Sequence, residues 1–197
     1  MTIATQAQEF WQIDVAPEQM GQIFQAALKN SARGLSEMVG RPINIHTPHV
    51  EAVPIHKVAD HVGGPEAEMV GIYLVMEGDL PGQVILMLTL SEAFYLVDLL
   101  LGEPPGTTTE LGELESSALA ETGNLTASFF INEVAKLTGT TSRPSPPAVM
   151  VDMLGAIVNV IALPLATFTD TLPIVETIFE ESDRIVRAHF WVLPSPA

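Results

Sequence analysis

Glu121 and Asn124 stand three residues apart in the stretch SALAETGNLTAS (117–128). On a helix that spacing puts both on one face, with Cβ atoms about 5–6 Å apart. Ser117 and Ser128 extend them into one continuous polar stripe. Leu119, Gly123, Phe130, Val134 and Leu137 fall on the far side and are expected to face the core. Leu125 and Phe129 lie beside the stripe, and nothing in the pattern forces them inward. A polar ridge with apolar shoulders is suited to docking another protein. The local sequence also carries a conflict. Asn is a mediocre helix former, and glycine costs about 1 kcal/mol relative to alanine in a helix interior. Gly123 would repay this by letting the back of the helix pack closely, and such conflicts tend to mark functional sites.

Other chemistries have less support. The chain has no cysteine, which excludes disulfides, thiol catalysis and thiolate metal sites and fits a cytoplasmic setting. His46, His49, His56 and His61 invite a metal reading. However, strand positions three apart point to opposite faces, and five apart is poor ligand spacing on a helix, so these are read as isolated histidines and no metal site is expected. Ser116-Ser117 lacks a nucleophile-elbow context, and LGEPPG and VGGPEA lack the ending of a phosphate loop. A formal charge of −16 argues against nucleic acid and against anionic membrane surfaces. The charge is no tail, because twelve acids and four bases fall on each side of residue 100. The N-terminus shows no signal peptide, and the apolar run from Met153 to Leu163 is too short to span a bilayer.

The elements that would position the ridge can be read from periodicity. Residues 1–16 have no clear period and form an N-terminal segment. Pro17 opens a helix to about Val39, with Met20, Phe24, Ala27, Leu28, Ser31, Leu35 and Met38 on one face. An extended segment follows at 43–53, interrupted by Pro48, and then a short helix closed by Gly63-Gly64-Pro65. Residues 67–77 and 82–90 read as a hairpin, and 91–102 as a helix with Ser91 as N-cap. After the 104–107 linker the order recurs: a long helix from about Glu113 to Leu137, an extended AVMVDM, a short helix at LGAIVNVIA and a second strand pair. Residues 17–197 are therefore expected to form a single α+β domain of two repeats, about 17–102 and 111–197, with pseudo-twofold symmetry. A largely antiparallel sheet would carry the two long helices side by side on one face.

SALAETGNL, followed downstream by PPAV, resembles the CheC-type chemotaxis phosphatases, the group that includes CheC, CheX and FliY. Their motif is filled here by Ser117, Glu121, Asn124 and Pro147 at every required spacing, and the likeness extends over about residues 17–193. The first half holds Glu18, Gln22, Gln25 and Pro48 at the corresponding places, with Lys29 and Arg33 where the second helix has Ser128 and Asn132. That copy lacks the acid and the asparagine and reads as degenerate. The resemblance implies a phosphatase acting on the aspartyl phosphate of a CheY-type response regulator. Asn124 would orient the attacking water and Glu121 would pair with the regulator's lysine, while Ser117 and Pro147 support the site. No cofactor of its own is implied, the Mg²⁺ belonging to the regulator. The alternative is a non-enzymatic chemotaxis or flagellar-switch module that binds CheD or CheY.

Overall fold

A computed structural model describes residues 17–46, 49–161, 165–166, 170–181 and 184–194. Helix α1 (Pro17–Val39) begins at a proline, whose fixed φ and missing N–H suit the first helical turn. It ends at Gly40, which takes a left-handed φ of 72°. Strands β1 (Asn44–Ile45) and β2 (His49–Pro54) follow, then a 3-10 turn (Ile55–Lys57) and helix α2 (Val58–Val62). The hairpin β3 (Glu68–Gly78) and β4 (Gly82–Thr89) leads into α3 (Leu90–Leu101). The N-cap of α3 is Thr89, whose Oγ1 accepts the Glu92 N–H at 3.2 Å. Ser91, expected in that role, lies inside the helix and shares a 3.2 Å contact with the Thr89 hydroxyl. β4 stops at Thr89, one residue before the expected end at Leu90, and the helix begins correspondingly early.

The second long helix, α4 (Glu113–Thr138), starts at Gly112, whose N–H donates to Glu115 Oε2 at 3.0 Å. Acids in its first turn and Lys136 in its last complement the helix dipole. Strands β5 (Ser142–Pro144) and β6 (Ala148–Met153), helix α5 (Leu154–Ile161) and the hairpin β7 (Thr171–Glu181) and β8 (Arg184–Pro194) complete the order.

All strand pairings are antiparallel. β4 and β8 pair at the centre, β3 and β7 flank them, and the short strands run along the outer edges. The edges are exchanged between the two halves of the chain: β2 pairs with β7, and β6 pairs with β3. The period-two alternation then separates two cores. Ile72, Leu74, Leu86, Phe190 and their row face α1 and α4, while Met69, Ile85, Met87, Trp191 and theirs face α2 and α5. The α+β architecture, with a largely antiparallel sheet and two long helices on one face, is as expected. The opposite layer built by the two short helices is an addition. Met38 departs from the expected buried face of α1: it is 45% exposed, in the last turn before Gly40. Among the described residues no helix is long and apolar enough to cross a membrane.

Asp98 anchors the segment joining α3 to α4. It is fully buried, and its carboxylate accepts N–H groups from Gly106 at 2.7 Å, Thr107 at 3.2 Å and Thr108 at 2.8 Å. Burial pushes its pKa up, but the bonds from Thr108, Gly106 and Thr107 outweigh that and hold it below the usual value. A carboxyl with a folded pKa below its unfolded one stabilises the fold above the unfolded value, and that contribution is lost as pH falls through the folded one. Asp98→Asn should therefore cost about 1–3 kcal/mol at neutral pH. Its difference from wild type in urea denaturation should shrink as the medium is acidified below the ordinary carboxylate range.

Candidate functional site

Helix α4 is held against the sheet by its glycine. A Cβ built on Gly123 would overlap Ile72 Cγ2 and lie 3.2 Å from Ile72 Cβ and 3.6 Å from Leu74 Cδ1, both on β3. Thr122 and Thr126, buried beside it, satisfy their hydroxyls inside the helix by donating to Ala118 O at 3.1 Å and Thr122 O at 2.8 Å. Leu119, Phe130 and Val134 are buried on the same side. With its back fixed in this way, the helix turns Glu121 and Ser117 fully outward and leaves Asn124 and Ser128 half-buried. Among the described residues neither Glu121 nor Asn124 has a hydrogen-bond or ion-pair partner, so both carry unused polar capacity. Ser117 does not: its Oγ donates to Glu113 O at 2.6 Å, folding the hydroxyl onto the helix. Pro147 lies half-buried just before β6. Two residues upstream, Ser145 binds β3 in both directions, its Oγ accepting the Val75 N–H at 2.9 Å and its own N–H donating to Val75 O at 2.8 Å.

The apolar shoulders are only partly free. Leu125 and Phe129 approach Gly34 of α1, where an added Cβ would meet Leu125 Cδ2 at 2.9 Å and Phe129 Cε2 at 3.0 Å. They serve the contact between the two long helices, which the wheel of one helix alone could not reveal. The signal was the small residue at position 34 of the other long helix, α1. Further along, Asn30 donates to Glu133 Oε1 at 3.0 Å, and Lys136 Nζ reaches the same oxygen at 2.6 Å.

On α1, Gln22, Gln25, Lys29 and Arg33 form an exposed stripe. Arg33 pairs with Glu37 at 3.8 Å, one turn on. Glu18 belongs to α1, but its side chain and the whole of Pro48 lie outside the described residues. The histidines are less isolated than the spacing implied. His49 and His61 approach the same oxygen of Glu51 at 3.8 and 3.6 Å, because strand β2 and helix α2 fold back on each other. His46 takes a separate partner, Glu180, at 2.6 Å. Among the described residues no group of three or more His, Asp or Glu side chains has a metal-holding arrangement.

Comparison with known proteins places these features in a wider set. A family model described as CheC-like matches residues 114–151, the span from the first turn of α4 into β6. The CheY-P phosphatase CheC of Bacillus subtilis is 31% identical over 169 residues, covering 84% of this chain and 81% of that protein. The crystal structure of Thermotoga maritima FliY superposes with a TM-score of 0.74 at 24% identity, over 93% of this chain and 91% of that one. A chain of the FliG–FliM complex from H. pylori gives 0.63 at 15% identity, over 89% and 90%. A CheX–CheY–BeF3–Mg complex from Borrelia burgdorferi gives 0.51 at 15%, over 85% and 96%.

Gly123 supplies a test of how the ridge is held. Gly123→Ala gains about 1 kcal/mol of helix propensity but overpacks Ile72, at a cost of about 1–3 kcal/mol. The expected net is a lowered Tm, with Gly123→Val lower still. Ile72→Ala removes the overlapped Cγ2, so pairing it with Gly123→Ala should cost less in thermal melts than the sum of the two single changes.

Proposed function

Since the chain belongs to the CheC-like family, we propose that it hydrolyses the aspartyl phosphate of a CheY-type receiver domain, with Glu121 and Asn124 as the working side chains. The observation that carries this reading is the ridge of α4. It holds an exposed carboxylate and a half-buried amide, adjacent, unpartnered among the described residues, and fixed from behind by Gly123. The match to the Bacillus subtilis CheY-P phosphatase over four-fifths of both chains supports the substrate class.

The roles follow from the groups. Phosphoryl transfer needs positioning and charge stabilisation more than covalent help from the protein. An amide both donates and accepts hydrogen bonds and stays neutral, so Asn124 can hold a water in line with the phosphorus. The water oxygen bonds to phosphorus, the bond to the aspartyl oxygen breaks, and the receiver regains its carboxylate as inorganic phosphate and a proton leave. Glu121 accepts the receiver's active-site lysine and sets the docking register. The divalent ion belongs to the receiver; this chain supplies no ligand to it. Ser117 is a small residue that admits the partner, and Pro147 sets the entry to β6. The stripe of α1, with Gln22 and Gln25 in place of acid and asparagine, is the inactive copy in this reading.

Decay of a phosphorylated CheY-type receiver from the same genome gives the test. Asn124→Ala should lower kcat by about a hundredfold, the scale of lost orientation. Glu121→Ala should act mainly on receiver affinity, and Gln25→Ala should stay within about twofold of wild type. Unchanged decay with both α4 variants would remove the assignment. If the wild-type protein is inactive yet captures CheD, the adaptor role takes its place.

A further inference from the structure

Beside the ridge lies a set of apolar side chains that the core does not use. Leu114 is 62% exposed, Val151 45% and Met153 58%. Their placement follows from register. Gly123 sits over Ile72, and Ile72 pairs with Val149 of β6. Val151 and Met153, the next two residues of β6 on the helix-bearing side, pair with Val70 and Glu68. The direction of α4 is fixed by its exit. Its C-terminus is followed closely by β5, whose Ser142 pairs with Gly78 at the far end of β3, so the N-terminal half of α4 lies toward Glu68. At about 1.5 Å per helical residue and about 3.3 Å per strand residue, the step from Gly123 back to Leu119, at the middle of the Ser117–Glu121 turn, matches the step from Ile72 to Val70. Val151 therefore flanks the Ser117–Glu121 turn, and Met153 flanks the first turn with Leu114. Asp152, the acid between them, pairs with Met69 and belongs to the opposite face.

An open sheet edge is ordinarily blunted with charge or proline. The other edge of this sheet follows that rule. Strand β2 also has six residues and lies outside β7 as β6 lies outside β3, and it carries Ala52 and Pro54 where β6 has Val151 and Met153. The exposed apolar side chains and the acid–amide pair thus occur together on one edge and are both missing from the other.

We propose that Leu114, Val151 and Met153 form an apolar shoulder that seats the receiver domain docked on the Glu121–Asn124 ridge, an inference that rests on the functional reading above. The shoulder supplies uncharged contact area next to the polar ridge, as the apolar centre of a transient interface does. It acts on binding and leaves the water-positioning geometry untouched.

The test uses the full chain with the same receiver, phosphorylated for turnover and beryllofluoride-loaded for binding. The variants are Val151→Thr with Met153→Ser, and Leu114→Ser. All three positions are exposed, and circular dichroism melts check that the fold is kept. The expected result is a rise of about tenfold in both Kd and KM with kcat within about twofold, whereas Asn124→Ala lowers kcat and leaves Kd near wild type. A Kd within twofold of wild type for the double variant would overturn the shoulder while wild-type turnover leaves the phosphatase reading intact. Conversion of a wild-type dimer into monomers by these substitutions would also overturn it, assigning the patch to a second copy of the chain. Shoulder-dependent binding without any wild-type turnover would sink the phosphatase reading and keep the docking surface.

Discussion

The close seating of α4 on β3 at Gly123 and Ile72 is the constraint on which the rest of the site depends. The corresponding place on α1 is held by Phe24, which is fully buried and stacks on Phe130 at 4.9 Å and edge-on to Phe190 at 5.5 Å. One helix meets the sheet with its backbone and the other with an aromatic ring. The polar stripes differ in step with this. Asn124 and Ser128 are half-buried, whereas Gln25 and Lys29 are exposed. A half-buried amide has fewer accessible rotamers than an exposed one, so the proposed water-holding role would leave less ordering to be done. The glycine that looks like a defect in α4 thereby preorganises the residue beside it.

Much of this was legible in the sequence because period and punctuation agreed. Pro17 and Gly40 bound the first long helix, Gly112 and Gly139 the second, and two apolar runs separated by Asp79-Leu80-Pro81 mark the first hairpin. The ridge was legible for the same reason, since a helical spacing is a local property. What escaped was set by tertiary contact. Leu125 and Phe129 are shoulders on an isolated helix and become interface residues only when Gly34 arrives from α1. His49 and His61 lie far apart in sequence terms yet meet at Glu51, because β2 and α2 fold back together. Thr89 caps α3 in place of Ser91 because the strand ends and the helix begins one residue earlier than the apolar run suggests. The exposure of Val151 and Met153 depends on which edge of the sheet β6 occupies, and no short window encodes that.

The same scaffold serves proteins with different names, including FliY and the FliM middle domain from H. pylori. A fold of this kind does not by itself specify an activity. In this chain the two long helices present contrasting stripes: an acid and an asparagine on α4, two glutamines with a lysine and an arginine on α1. Both are carried by one hydrophobic core and one sheet, so either stripe is free to change without disturbing the packing beneath it.

The exchanged edges of the sheet bear on how the chain assembles during synthesis. Val50 finds its partner only when Val175 has been made, and the central strand β4 waits for β8. Until the last hairpin leaves the ribosome, β2 has no ladder and the hairpin β3–β4 exposes an apolar edge on each side, since β6 also comes late. Pairings so distant along the chain slow folding and prolong the exposure of unpaired strands. Closure of this sheet therefore waits for the β7–β8 hairpin, and the chain before that point, more than the finished fold, is the species that requires protection from aggregation.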